Sequence, residues 1–231
     1  MHNSDKTFLS EEFCQKYPLL LAHLNEVLDK TKTTNLTGIR NRETGKVFHI
    51  ADSLAVLAEI NEAPQGELAD LGSGAGYPGI PLAVVSGRRT TLIEANKKKA
   101  DFLEGFALSH HLEGQISVVP ERSELLDKRY FERFAVVTTR AVSSLPTILE
   151  LAAPLLATGG HFVALKGDLD EEELMKGNKA SEILGMELLA IRHYEIADTG
   201  HKRCVLTYVR SSAPKIDVPR RPGMAAKRPL A

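Results

Sequence analysis

The glycine-rich stretch at residues 68–83, LADLGSGAGYPGIPLA, most constrains how this chain can fold. A short apolar segment runs directly into four glycines within eight positions, and an apolar helical pattern follows. A strand, a bare turn and a helix in this order are typical of the first unit of a doubly wound α/β sheet. Glycines in such a turn allow positive φ angles and let a ligand approach the main chain.

Strand and helix patterns alternate along most of the remaining chain. After the strand at residues 68–71, further strands are predicted at residues 90–95, 115–119, 134–139, 161–167, 186–196 and 202–210. Helices are predicted at residues 97–112, 145–160 and 170–184. This alternation predicts a Rossmann-like, doubly wound, mostly parallel seven-stranded sheet, with the last two strands as an antiparallel edge hairpin. The helix at residues 145–160 should distort at Pro154 and end at a glycine pair, Gly159 and Gly160.

The first sixty-odd residues predict a helical lobe. Ser10 can cap a helix over residues 11–31, which Pro18 should interrupt or kink. A second helix is predicted over residues 46–60. Within it, His49 and Asp52 have i, i+3 spacing, which favours a hydrogen-bonded pair that docks the lobe.

Composition shifts divide the chain into three parts. They are a helical lobe (residues 1–65), a sheet domain (66–210) and a basic, proline-rich tail (211–231). The tail carries one acid and five basic residues, so we expect it to be extended rather than packed in a core. The lobe and the sheet domain are joined by the linker-like segment NEAPQGE.

Charge and cysteine content bound the setting of the protein. The formal net charge is −1, so nucleic-acid binding would need a local basic patch. The two cysteines lack CxxC spacing, which favours a reduced, cytoplasmic compartment. No apolar run reaches about 18 residues, so no membrane span is expected. No metal-ligand constellation stands out, and we expect a monomer.

One candidate ligand for the glycine loop is a dinucleotide. Gly74, Gly76 and Gly79 fit GxGxxG, which favours NAD. However, little chain remains after the sheet for the substrate domain of a dehydrogenase. A P-loop ATPase is excluded because GxxxxGK[ST] is absent from the sequence.

The charges around the loop favour S-adenosylmethionine, a cationic sulfonium with an adenosine and no phosphate. Asp70 would repel a pyrophosphate but attract a cation. Pro78 and Pro81 leave the helix few free N–H donors for a phosphate. Glu94, at the end of the next strand, can accept hydrogen bonds from both ribose hydroxyls. Structural roles stay open: the glycines can form a tight turn, Asp70 can cap it, and Glu94 can be merely solvated.

Several segments together resemble one known family. They are FHIADSL, DLGSGAGYPGIPLA, IEANKKKADFLE, ERSELL, TTRAVSSL, LLATGGHFVALKG and VPRRPGMAAKRPL. They look like the ribosomal small-subunit methyltransferase G family, also called glucose-inhibited division protein B. The resemblance covers nearly the whole chain. It implies a class I methyltransferase that uses S-adenosylmethionine to methylate N7 of one guanosine in 16S ribosomal RNA.

The resemblance also implies site residues. By motif, Gly72 and Tyr77 fall in the cofactor loop, Ser123 and Glu124 match the segment beside the adenine, and Arg140 matches an arginine of the cofactor site. Tyr77 departs from the usual aliphatic or phenylalanine residue, and Ser123 from the usual alanine. The full predicted donor site is Asp70, Gly72, Gly74, Gly76, Tyr77, Glu94, Ser123, Glu124 and Arg140.

Guanine N7 carries an in-plane lone pair in the free base, so its methylation needs positioning rather than a general base. No catalytic residue is therefore assigned. Arg140 can orient cofactor or RNA, or only pair with a nearby acid. Lys166, at a strand end, can contact an RNA phosphate or be solvated.

The tail supplies a second set of RNA candidates: Arg220, Arg221, Lys227 and Arg228. The alternative is a solubilising tail. For the whole chain, two other functions stay open: a nicotinamide-dependent oxidoreductase and a non-catalytic RNA-binding module.

Overall fold

The computed structural model describes residues 11–140, 143–167, 169–196 and 199–231. Seven strands form one sheet: β1 (Leu68–Leu71), β2 (Thr90–Ile93), β3 (Ile116–Val119), β4 (Phe134–Arg140), β5 (Leu156–Lys166), β6 (Met186–Ile196) and β7 (His201–Arg210). Their order is β3-β2-β1-β4-β5-β7-β6. The first five strands in this order run parallel, and β7 pairs antiparallel with both β5 and β6. The predicted doubly wound sheet with an antiparallel edge hairpin is confirmed.

The α-helices lie before, between and after these strands. They are α1 (Glu11–Thr31), α2 (Arg42–Gly45), α3 (Asp52–Leu54), α4 (Leu57–Glu62), α5 (Gly79–Ser86), α6 (Lys97–Ser109), α7 (Leu145–Ala152), α8 (Glu171–Ile183) and α9 (Met224–Lys227). No helix within the described ranges is both long and apolar enough to cross a bilayer.

The central strands β1 and β2 are buried on both faces, so a ligand can reach them at the strand ends. Along β1, Ala69 and Leu71 pack against α7, while Leu68 packs on the opposite face near Val56 and Ile60. This alternation follows from the two-residue period of a strand. Parallel strands buried on both faces are mostly apolar, which explains three of the four residues of β1, and Asp70 is the exception.

The first helix of the lobe is longer than Pro18 would suggest. Helix α1 continues through Pro18, so the predicted interruption is wrong, while the alternative, a kink, stays a prediction. Pro18 is exposed. Water can therefore bind the carbonyl that loses its helical partner. Ser10, the predicted cap, lies outside the described residues.

The predicted second helix, at residues 46–60, is not continuous. A π-helix, Lys46–Ala51, leads into α3, and α4 starts only after Val56 leaves helical geometry with ψ of 10°. The π-helix has a wider turn than an α-helix, so side chains at i, i+3 spacing point in more divergent directions. Its His49 side chain faces the glycine loop described below.

One arginine ties the linker between lobe and sheet. The Arg88 guanidinium donates to the carbonyls of Ile60, Ala63, Pro64 and Gly66 at 2.7–3.2 Å. Arg88 is buried, so these carbonyls are satisfied by protein rather than by water.

The glycine pair after α7 does not end a helix. Helix α7 stops at Ala152, a 3-10 turn carries Pro154, and Gly159 and Gly160 lie inside β5. A Cβ at Gly160 would come within 2.9 Å of the carbonyl oxygens of Ala157 and Phe134. The glycine is therefore needed for close strand approach, beside the register shift in β4.

The tail is folded rather than extended, so that expectation is wrong. Four of its residues, Met224–Lys227, form α9, and Ala225 is buried. The Thr147 hydroxyl on α7 donates to the Ala225 carbonyl at 3.1 Å. Val218 and Leu230 pack against the core. A few apolar residues and long-range polar contacts thus dock a segment that cannot build a core of its own.

Candidate functional site

The predicted site residues meet at one edge of the sheet. Gly72 follows β1, Glu94 follows β2, Ser123 lies beyond β3, Arg140 ends β4 and Lys166 ends β5. Because these strands are parallel, their carboxyl ends face the same way. The sheet topology therefore gathers residues that are far apart in the sequence.

The glycine loop needs its glycines for two different reasons. Gly74 has φ of +59°, and of the described atoms an added Cβ there would meet the Gly72 carbonyl oxygen alone, at 3.9 Å. Gly74 therefore faces open space into which a ligand can approach the main chain. Gly76 has φ of +94°, and its Cβ would lie 2.9 Å from the His23 ring and 2.6 Å from Ile80. Gly76 instead permits close packing against the lobe.

The loop uses its backbone N–H groups within the protein. Gly72 and Ser73 both donate to the Ile93 carbonyl, at 2.9 and 3.1 Å. Gly76 donates to the Ser73 carbonyl at 2.7 Å. Gly74 donates to Glu94 at 2.8 Å. These donors are not free to cradle a pyrophosphate, which is what a dinucleotide loop would offer.

Glu94 combines burial with remaining acceptor capacity. The residue is 8% exposed. One carboxylate oxygen accepts the Gly74 N–H and the other accepts the Asn96 N–H at 2.7 Å. A carboxylate has about four acceptor positions, so each oxygen can take one further hydrogen bond. The ribose role predicted for Glu94 is compatible with this arrangement.

Asp70 lies beneath the loop rather than facing its open side. It is fully buried, and its Oδ2 accepts the Gly79 N–H at 3.0 Å, at the start of α5. A Cβ at Gly79 would fall 2.5 Å from that oxygen, which explains the third glycine of the motif. Burial raises the pKa of Asp70 to about 7. This position does not favour the predicted direct contact with a ligand, and Asp70 instead occupies the helix N-terminus that a phosphate would use.

His23 on α1 holds the glycine loop, and the sequence reasoning missed it. Its Nε2 lies 2.9 Å from the Ala75 carbonyl oxygen, so Nε2 carries the proton. Among the residues that the structure describes, the buried Nδ1 has no hydrogen-bond partner. A second proton would place an uncompensated charge there, and burial lowers the pKa of His23 to about 3. The available signal was a histidine on the apolar face of α1, between Leu20 and Val27.

Tyr77 turns its ring toward the lobe. The ring stacks on His49 with 4.4 Å between centroids and an 11° interplanar angle. It also lies 4.6 Å from the His23 ring, and the Arg140 guanidinium is 5.5 Å from its centroid. The buried Tyr77 hydroxyl has no hydrogen-bond partner within the described ranges. Tyr77 therefore fixes the loop through its ring, and its predicted contact with S-adenosylmethionine stays a prediction.

Arg140 connects β4 to the lobe. Its Nη1 donates to the Phe48 carbonyl at 2.9 Å and to Asp52 at 3.1 Å, and Nη2 lies 3.3 Å from His49 Nδ1. Burial, followed by the Arg140 charge, lowers the pKa of His49 to about 4. His49 and Asp52, predicted as a docking pair, thus both contact Arg140. Asp52 also accepts the Tyr194 hydroxyl at 2.8 Å.

Glu124 is held at the far side of the same edge. Its carboxylate accepts from the Gly223 N–H, Arg122 and the Ser123 hydroxyl at 2.9, 2.9 and 3.3 Å. Burial acts to raise the pKa of Glu124, but the hydrogen bonds from Gly223 and then from Arg122 bring it below its ordinary value. The neighbouring Leu125 is 54% exposed.

The predicted RNA contacts divide into paired and exposed cations. Lys166 donates to Glu173 at 2.6 Å and to the Ser143 carbonyl at 2.9 Å. Arg220 forms a two-point ion pair with Glu150 at 2.8 and 2.6 Å. The other predicted RNA contacts in the tail are exposed: Arg221, Lys227 and Arg228.

A cavity of about 470 Å³ lies elsewhere, between α1 and α6. Its rim mixes both charge signs, from Glu26, Lys30, Lys98 and Asp101. We place the candidate site at the strand ends because the glycine loop and Glu94 meet there. Among the described residues, no group of three or more His, Cys, Asp or Glu side chains is arranged to hold a metal ion.

Solved structures share this fold. One is geranyl diphosphate C-methyltransferase from Streptomyces coelicolor A3(2), solved with Mg²⁺, geranyl diphosphate and S-adenosyl-L-homocysteine. It is 12% identical, with a TM-score of 0.56 over 69% of this chain and 78% of that chain. TYW2 of M. jannaschii, solved with AdoMet, is 16% identical, with a TM-score of 0.56 over 72% of this chain and 80% of that chain. The fold, with its glycine loop after β1 and its acid after β2, is that of the class I S-adenosylmethionine-dependent methyltransferases.

Sequence comparison defines the family within that class. A model of rRNA small subunit methyltransferase G matches residues 16–201. Ribosomal RNA small subunit methyltransferase G of Desulfitobacterium hafniense (strain Y51) is 37% identical over 227 residues, covering 96% of this chain and 91% of the relative. The Carboxydothermus hydrogenoformans protein of the same name is 35% identical over 219 residues, covering 94% and 92%. The chain belongs to the ribosomal RNA small subunit methyltransferase G family, as its motifs predicted.

Proposed function

We propose that this protein transfers a methyl group from S-adenosylmethionine to N7 of a specific guanosine in 16S ribosomal RNA. Membership of the family supports the reaction class. The observation that carries the choice of donor is the loop itself, whose N–H groups bind Ile93, Ser73 and Glu94. A loop arranged in this way suits an adenosyl ligand without phosphates better than NAD.

The residues at the strand ends fit such a donor. Glu94 retains acceptor capacity for two ribose hydroxyls, and Gly74 leaves its face of the main chain open. Ser123 and Glu124 would flank the adenine. When bound, S-adenosylmethionine supplies a methyl group attached to a positively charged sulfur.

The chain's own contribution would be positioning. Because N7 has an available lone pair, no side chain has to remove a proton from the base. His23 and Tyr77 hold the loop, and Arg140 fixes the lobe against β4. A rigid site of this kind favours in-line attack by holding the reacting groups in one geometry.

The RNA would be bound mainly through phosphate contacts, which depend on salt. Arg221, Lys227 and Arg228 are exposed and suited to this role. Lys166 and Arg220 are held in short internal ion pairs, so we favour a structural role for them. A ribosomal RNA substrate would place the protein in the cytoplasm, in line with its cysteine content.

The decisive experiment is methyl transfer to defined substrates. The purified protein and labelled S-adenosylmethionine are incubated with small subunits, or with naked 16S RNA, from cells that lack the gene. We expect label in the RNA and a single N7-methylguanosine by nucleoside mass spectrometry. Glu94→Gln should weaken donor binding, whereas Glu104→Gln, an exposed acid on α6, should not.

Three results would contradict this proposal. Label that enters only protein or a small molecule would overturn the RNA assignment. Tight binding of NAD(H) without binding of S-adenosylmethionine would favour the oxidoreductase. RNA retention without any transfer, across several substrates, would favour a non-catalytic RNA-binding module.

A further inference from the structure

The Glu124 carboxylate is fixed from a distant part of the chain. Its side chain is only 5% exposed, although the residue sits in a short 3-10 turn between β3 and β4. One of its oxygens accepts the backbone N–H of Gly223, 99 residues away in the sequence. Gly223 has φ of +79°, a left-handed conformation that glycine adopts with little strain. In this conformation its N–H points at the Glu124 carboxylate. The C-terminal segment therefore reaches the same edge of the sheet as the glycine loop.

Contacts with α7 anchor this segment on both sides of Gly223. Before it, the Arg220 guanidinium binds both oxygens of Glu150, which is 1% exposed. Arg220 also donates to the Arg228 carbonyl at 2.7 Å, which closes the segment on itself. After it, Thr147 binds the Ala225 carbonyl. A two-point pair between a guanidinium and a buried carboxylate fixes both distance and orientation.

We propose that Arg220 is a positioning residue for the donor site, acting through Gly223 on Glu124. This inference rests on the proposed function, because it takes Ser123 and Glu124 as the wall beside the adenine. Arg220 touches no reacting group in this arrangement. It holds the segment whose N–H keeps the Glu124 carboxylate, and with it the turn at Ser123–Leu125, in a fixed place. The tail is thereby part of the donor site rather than an appendage for RNA alone.

The test compares Arg220→Ala with Lys215→Ala, an exposed cation in the same tail. Affinity for S-adenosylhomocysteine is measured by calorimetry without RNA, and amide hydrogen exchange is followed at residues 122–126. In Arg220→Ala the Gly223 N–H should no longer be held against the Glu124 carboxylate. Losing that one hydrogen bond to a charged group should weaken the affinity about tenfold and speed up amide exchange at residues 122–126. Lys215→Ala should stay within about twofold of the unmodified protein on the same scale.

Arg220→Lys separates geometry from charge and serves if Arg220→Ala does not fold. Lysine keeps the charge but cannot make the two-point pair, so an intermediate loss of about threefold is expected. Unchanged affinity and unchanged exchange at residues 122–126, in a folded Arg220 variant, would overturn the inference even if its melting temperature fell. If the unmodified protein itself fails to bind S-adenosylhomocysteine, the proposed function fails as well. If the unmodified protein binds and the Arg220 variants bind equally well, only this inference fails.

Discussion

Lowering the pH from about 7.5 to about 5 should reduce the free energy of unfolding by about 1.5 kcal/mol, and replacing His23 by glutamine should remove that loss. His23 and His49 are buried in their neutral forms, with pKa values lowered from 6.5 to about 3 and about 4. Their contribution to stability is complete above pH 6.5 and falls as the pH drops, because only the unfolded chain takes up the protons. Each pH unit below 6.5 costs about 1.4 kcal/mol for each histidine, or about 2 kcal/mol each at pH 5.

Asp70 acts in the opposite direction. Its pKa is raised from 3.8 to about 7, so its ionisation destabilises the fold as the pH rises through that window. Lowering the pH from about 7.5 to about 5 therefore restores about 2.5 kcal/mol of the free energy of unfolding through Asp70. The two histidines together lose about 4 kcal/mol over the same range. The histidines win, and the net loss is about 1.5 kcal/mol.

Urea unfolding, followed by far-ultraviolet circular dichroism at both pH values, measures this difference. In His23→Gln one histidine term disappears while the amide can still donate to the Ala75 carbonyl, so stability should be nearly equal at the two pH values or slightly higher at pH 5. His193→Gln, at an exposed position, should behave like the unmodified protein. If His23→Gln loses as much stability at pH 5 as the unmodified protein, the neutral, buried state assigned to His23 is wrong.

Four further substitutions test the loop, the lobe and the RNA contacts. Gly76→Ala forces a Cβ onto the His23 ring at positive φ, and should lower the free energy of unfolding by about 1–3 kcal/mol and weaken donor binding, as measured by urea unfolding and calorimetry. Asp52→Asn leaves the arginine of β4 without its buried carboxylate and should cost about 3 kcal/mol in urea unfolding. Arg221→Ala should reduce the slope of log affinity for RNA against log salt by about 0.7 to 0.9, whereas Lys166→Met should leave that slope unchanged, because its ammonium is paired internally.

Each of these expectations has a clear contrary result. Unchanged donor affinity in Gly76→Ala would mean that the loop tolerates displacement from the lobe. A loss below about 0.5 kcal/mol in Asp52→Asn would mean that the carboxylate is not the main partner of Arg140. A smaller salt slope in Lys166→Met would restore Lys166 as a phosphate contact.

The sheet and the place of the site could be predicted because both follow from local patterns of apolar and polar residues. Apolar strands alternating with helices fix the order of elements, and parallel strands bring Gly72, Glu94 and Arg140 to one edge whatever the details of packing. The hairpin of β6 and β7 followed from two long strand patterns joined by a short turn.

The remaining features depend on contacts between distant residues or on geometries that share one pattern. Hydrophobic periodicity cannot tell an α-turn from the π-turn at Lys46–Ala51. A glycine pair can end a helix or allow strands to approach, and only the carbonyls around Gly160 decide between the two. The pairing of Arg220 with Glu150 spans 70 residues, so composition alone made the tail look extended.

The guanidinium of Arg88 has a consequence for how the site can open. Four carbonyls of the segment that leads from the lobe into β1 converge on one buried side chain, so this joint is braced and is a poor place for a hinge. Lobe and sheet should turn in solution as a single body, and room for a nucleotide has to come from smaller adjustments at the rim. Cutting the chain at this joint to obtain a separate catalytic half would leave Arg88 and those carbonyls without their hydrogen-bond partners.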